Sequence, residues 1–143
     1  MGKSFEPHAY ATALAKTGTH ATDGGSLHKW VDTHWSALDE RDARVDAYRW
    51  LVKHAAGHAS DANASQALRA AALFLAPVPP LTDKTVIPVR NGYVHVEPDG
   101  VQLRPAERGL GVRHVLNCSY DPAAVAREFA RFVERALPDP AVR

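Results

Sequence analysis

The sequence predicts an α+β domain: a small antiparallel sheet covered by about three to four helices. Three observations carry that prediction. The densest β signal lies over residues 86–120, where Val86, Ile87 and Val89, then Tyr93, Val94 and Val96, then Val101 and Leu103 mark successive strands. Arg90-Asn91-Gly92 and Glu97-Pro98-Asp99-Gly100 break these runs. Asp-Gly supplies the backbone freedom a turn requires, and Pro98 presets its first dihedral. A second hairpin is expected over residues 27–37, with Trp30 and Trp35 on its two arms. Helical periodicity with recognisable caps covers most of the rest. Residues 114–118 read as a further short strand, so hairpins near 27–37 and 86–104 and this strand form the expected sheet.

Composition bounds the class. At 143 residues, 45% hydrophobic and 23% charged, the chain is of ordinary globular make-up and long enough for a real core. Its formal net charge of +1 argues neither for nor against a polyanionic partner, so any basic patch must be local. A single cysteine, Cys118, excludes an internal disulfide framework and a cysteine zinc cluster. No apolar run approaches the ~20 residues of a membrane span. The longest, over residues 70–78, is broken by Pro77. The N-terminus lacks the apolar core of a secretory signal. The expectation is a cytoplasmic protein with no membrane partner and no cofactor.

Taken in order, residues 1–18 predict a short helix: Pro7 suits its first turn, Tyr10 and Leu14 share a face, and Gly18 stops it. Residues 19–26 are polar with adjacent glycines and read as a loop. The expected organisation is therefore an N-terminal helix and linker over 1–25, loosely attached, and a single α+β domain over 26–143. The two tryptophans read as packing surface for the following helix. A stacking platform for a nucleobase is the alternative, with only Lys29 and nearby histidines as basic neighbours. Residues 39–56 predict a helix capped by Asp39, with Val45, Trp50, Leu51, Val52 and Ala55 as its apolar surface and Gly57 beyond its end. Residues 61–75 predict an alanine-rich helix capped by Ser60 or Asp61, with Leu68, Ala72 and Leu75 in one stripe. Pro77, Pro79 and Pro80 forbid its continuation. Asp121-Pro122 reads as a cap and first-turn proline for a last helix. Val125, Phe129, Phe132, Val133 and Ala136 form the face expected to pack on the sheet, and residues 137–140 stop that helix. The ending at Arg143 reads as a cut before a further segment.

Little in the chain points to catalysis. Gly2-Lys3-Ser4 spells the end of a phosphate-binding loop but lacks the upstream glycine and strand. His54 and His58 have the spacing of a metal pair without a third ligand. Cys118 and His114 lie four apart with no evident orienting partner. Arg90, Arg104, Arg108 and Arg113 are the candidate nucleic-acid contacts, because they fall in or beside the hairpin among glycines 92, 100, 109 and 111. Glu97, Asp99 and Glu107 are acids that instead pair with them in the competing reading.

Four pieces resemble a known family. Residues 86–94 (VIPVRNGYV) resemble the "I-P-x-x-N-G-v-l" element of phage- and plasmid-type primase–helicases. The acidic turn followed by Leu103-Arg104-Pro105 is similar to its "G-x-l-r-P". Tyr120-Asp121-Pro122-Ala123 resembles its "Y-D-P-x-A". Residues 27–35 resemble the "l-y-r-w-x-g-x-x-W" that opens the same region, with Asp32-Thr33 where glycine is common. The order and spacing agree over about residues 26–138. The resemblance implies a non-catalytic N-terminal or collar-type domain, poxvirus-like, that precedes a superfamily 3 helicase motor and supports oligomerisation, single-stranded DNA loading, or both. Single-stranded DNA and further copies of the parent helicase are the partners it implies. A free-standing small nucleic-acid- or protein-binding regulator is the alternative, and a small enzyme using Cys118 and a histidine is a third reading.

Overall fold

Two small antiparallel sheets, where the sequence led us to expect one, organise the α+β fold. A computed structural model describes residues 5–142. The first half holds α1 (Pro7–Thr17), β1 (His20–Asp23), β2 (Ser26–Trp30), β3 (Trp35–Ala37), α2 (Glu40–His54) and α3 (Asp61–Phe74). The second holds β4 (Val86–Val89), β5 (Gly92–Glu97), β6 (Gly100–Arg104) and α4 (Arg127–Ala136). The sheets are ordered β1-β2-β3 and β4-β5-β6. Gly2-Lys3-Ser4 and Arg143 lie outside the described residues.

Local chemistry accounts for the helices. The Asp39 carboxylate accepts from the backbone of Arg41 and Asp42, and Ser60 Oγ accepts from Asn63, so α2 and α3 begin at side-chain caps. Gly18 ends α1 in the left-handed conformation. Ala43 and Ala47 of α2, Ala64, Ala67 and Ala71 of α3 and Ala11 of α1 are all buried in one cluster with Tyr10, Leu27, Leu51 and Leu75. Side chains this small let the helix backbones approach closely, which is how an alanine-rich sequence makes a dry core. The buried stripe of α3 is thus its alanines, with Leu68 and Ala72 at the margin. Val45 and Val52, expected as buried surface of α2, are exposed.

Several expectations need correction. Residues 19–26 are not merely a loop: they carry β1 and its turn into β2, with His20 opposite Lys29 and Asp23 opposite Ser26. The polar side chains at 20, 22 and 23 hid a strand whose inward residue, Ala21, is small. The N-terminal helix is not loosely held, because Tyr10 and Ala11 are core residues and α1 packs along α3. Residues 114–118 make one parallel bridge, Val89 to Leu116, and no strand. The last helix starts at Arg127, five residues later than Pro122 suggests; Asp121 instead caps a local turn through Ala123 N–H. Its apolar face does not pack on the sheet: Phe129 and Phe132 are 66% and 65% exposed.

Hydrogen bonds join the halves. Trp35 N–H donates to Val112 O at 2.8 Å and Trp35 Nε1 to Arg108 O at 2.9 Å. Tyr93 Oη, fully buried on the inner face of the second sheet, donates to Thr33 O at 2.5 Å. Burial, reinforced by Glu107, pushes its phenol up to about 12.

Candidate nucleic-acid interface

The hairpin that carries two of the candidate arginines is built by glycine and asparagine. Gly92 sits at φ 144°, and a Cβ there would meet Arg104 O at 2.5 Å, so only glycine lets β5 lie this close to β6. Asn91 holds the turn to a distant segment. Its Nδ2 donates to Tyr120 O, and Tyr120 N–H donates back to its Oδ1, both at 2.9 Å. Leu116 N–H donates to Pro88 O at 2.9 Å and Arg90 N–H to Cys118 O at 2.8 Å. The asparagine-glycine turn and the Tyr-Asp-Pro segment, remote in sequence, are thus one structural unit.

Each candidate arginine already has a partner. Arg90 Nη2 donates to Asn117 Oδ1. Arg104 Nη2 reaches Glu97 Oε1 at 2.9 Å and Gln102 Oε1 at 3.0 Å. Arg108 Nη1 donates to Gly18 O, at the end of α1. Arg113 Nη1 meets Asp23 Oδ2 at 3.1 Å. Arg90 and Arg104 therefore stay within the second half, whereas Arg108 and Arg113 reach back to the first. Of the three acids read as competitors, Glu97 is a partner; Asp23, on the strand that sequence reading missed, is another. The ion pairs of Arg104 and Arg113 are solvent-exposed pairs worth up to about 1 kcal/mol each, so a phosphate can compete for them.

The other candidates separate. Trp35 is buried among Ala21 and Val78, edge-on to the partly buried Trp30 at 5.7 Å, and does not pack against α2. With its indole N–H committed to Arg108 O, it is no open platform for a base. His54 stacks on Trp50 at 4.8 Å and His58 faces Phe5 at 6.2 Å. Among the described residues no group of three His, Cys, Asp or Glu side chains is placed to hold a metal. Cys118 and His114 are both exposed. Burial lowers the His34 pKa, and the neighbouring His114 lowers it further. No helix among the described residues is long and apolar enough to cross a membrane. Asp32 adopts φ 67° in the turn between the tryptophans, which explains why glycine suits that position.

The molecule is thus a small α+β module whose surface features are partnered guanidinium groups and uncovered apolar faces. It belongs to the D5 N-terminal-like family: the profile of that family, the N-terminal domain of D5-like primase–helicases, matches residues 9–138. That domain is distinct from the catalytic helicase domain. The matched span begins within α1 and runs through the end of α4. No curated protein matches the sequence.

Proposed function

We propose that this chain is a non-catalytic accessory domain of a primase–helicase whose main work is assembly of the replication protein. Family membership supports the accessory role. The observation that carries the assembly role is the apolar face of α4, which no other element among the described residues covers to any substantial extent: Phe129 and Phe132, and Val125 just before the helix, are each at least 65% exposed. An aromatic face of this kind on a soluble domain marks an interaction site. Light scattering on the purified chain tests the reading. Self-association that increases with concentration is expected, together with no ATP hydrolysis. A monomer at every concentration contradicts assembly and favours the free-standing regulator.

Single-stranded DNA guidance is a second reading, supported by Arg90 and Arg108, which remain exposed despite their partners. It asks phosphates to replace contacts that now hold the fold together. Binding is therefore expected to be weak and strongly salt-dependent.

A further inference from the structure

A cleft opens between the start of α1 and the end of α2, with a volume of about 560 Å³. Sites that take small organic groups run from about 300 to 1,000 Å³. Aromatic rings line it: Phe5 before α1, Trp50 and His54 on α2, and His58 in the short turn beyond. They stand as two pairs. Trp50 and His54, one helical turn apart, stack with ring centres 4.8 Å apart, and Phe5 lies 6.2 Å from His58.

The rings are held from behind. Tyr10, buried in the core, meets the Trp50 ring edge-on at 5.4 Å. His58 N–H donates to Ala55 O at 2.8 Å, and Asn63 Nδ2 donates to His58 O at 2.7 Å, so α3 fixes the turn that carries His58. Glu6 is the one carboxylate on the lining, and among the described residues no lysine or arginine joins it there. Standing before Pro7, its backbone is extended. Its side chain does not cap the helix and has no hydrogen-bond or ion-pair partner among the described residues.

A free carboxylate beside aromatic rings selects for positive charge. Ring faces attract a cation through their quadrupole. A guanidinium suits them best: it is planar, stacks on rings, and is more weakly hydrated than an ammonium, so it gives up less on leaving water. Its N–H donors also match a carboxylate. A phosphate-bearing ligand would set its charge against Glu6. The geometry points to a recognition site for an arginine side chain of a partner polypeptide, its guanidinium stacked among the rings and bonded to Glu6. This goes beyond the assembly and DNA readings, because it uses neither α4 nor any of the candidate arginines.

Heteronuclear NMR of the isotope-labelled chain tests it, with acetyl-arginine amide as the probe and acetyl-citrulline amide, its uncharged isostere, beside it. The Trp50 indole signal should shift and saturate with a dissociation constant on the order of 10 mM, as a single charged side chain gives. The signal of Trp35, whose indole N–H is held by Arg108 O, should stay where it is. The citrulline probe should bind at least about 5-fold more weakly. Glu6→Gln should weaken arginine binding about 3–5-fold. His54→Ala, at an exposed ring, should weaken it as well, and both variants should keep the wild-type Tm. Equal binding of the two probes, or arginine binding unchanged by Glu6→Gln, overturns the proposal. So does a Trp50 signal that stays in place up to about 100 mM probe. Adenosine monophosphate binding more tightly than the arginine probe overturns it in favour of a nucleobase site.

Discussion

Gly111→Ala perturbs the joint between the two halves at one atom. Gly111 has φ 66°, and an added Cβ would lie 2.3 Å from both Pro79 O and Pro80 O. Two penalties follow. The left-handed conformation costs a residue with a side chain about 1–2 kcal/mol. The collision is with backbone of a proline pair, which cannot move aside as a flexible side chain would, so overpacking adds about 1–3 kcal/mol. The expected loss is therefore about 2–5 kcal/mol, a large part of the roughly 5–15 kcal/mol that holds a domain together. At roughly 2–4 °C per kcal/mol for a chain of this size, Tm should fall by about 10 °C. The consequence should reach Trp35, whose backbone and indole N–H groups donate to Val112 O and Arg108 O on either side of Gly111. Urea unfolding followed by tryptophan fluorescence measures it. Gly109→Ala is the control, since nothing lies within 4 Å of a Cβ there and its backbone is not left-handed. A Gly111→Ala loss within about 0.5 kcal/mol of the control would refute this account of the joint.

Three further outcomes are expected. Phe129→Ala in dilute solution should change stability by less than about 0.5 kcal/mol, because the ring is exposed in the single copy; thermal melts at low concentration check this. Burial lowers the pKa values of His20 and His34, assisted by Lys29 and His114 respectively. Their contribution is present above the ordinary histidine pKa and is lost as pH falls through the depressed folded values, so urea midpoints should decline on acidification below about pH 6.5. Replacing Arg90 and Arg104 together by alanine should reduce the salt slope of oligonucleotide binding by roughly 1–2 units, read by fluorescence anisotropy; equal slopes would remove these arginines from the interface.

The parts of the fold that were legible in the sequence are those whose signal is local. Asp39 and Ser60 announce their helices because a cap acts within three residues. Asn91-Gly92 and Asp99-Gly100 announce their turns because the required dihedrals belong to the turn itself. Strand β1 was hidden because its pairing, with β2 on one edge and with residues 76–78 through Thr22 on the other, is set by folding, and Ala21 is its one buried residue. The final helix misled for a physical reason. Periodicity shows that Phe129, Phe132 and Val133 share a face, but not what covers that face. The candidate arginines were visible as residues, while their partners Asn117, Gly18 and Asp23 are brought near by folding and carry no short-range signature.

Sedimentation velocity over a concentration series, on the wild-type chain beside the Phe129→Ser/Phe132→Ser variant, tests the assembly role most directly. Wild type should shift from monomer to a closed oligomer as concentration rises, while the variant keeps the same melting temperature and sediments as a monomer throughout. Wild type and variant sedimenting identically at every concentration would contradict it.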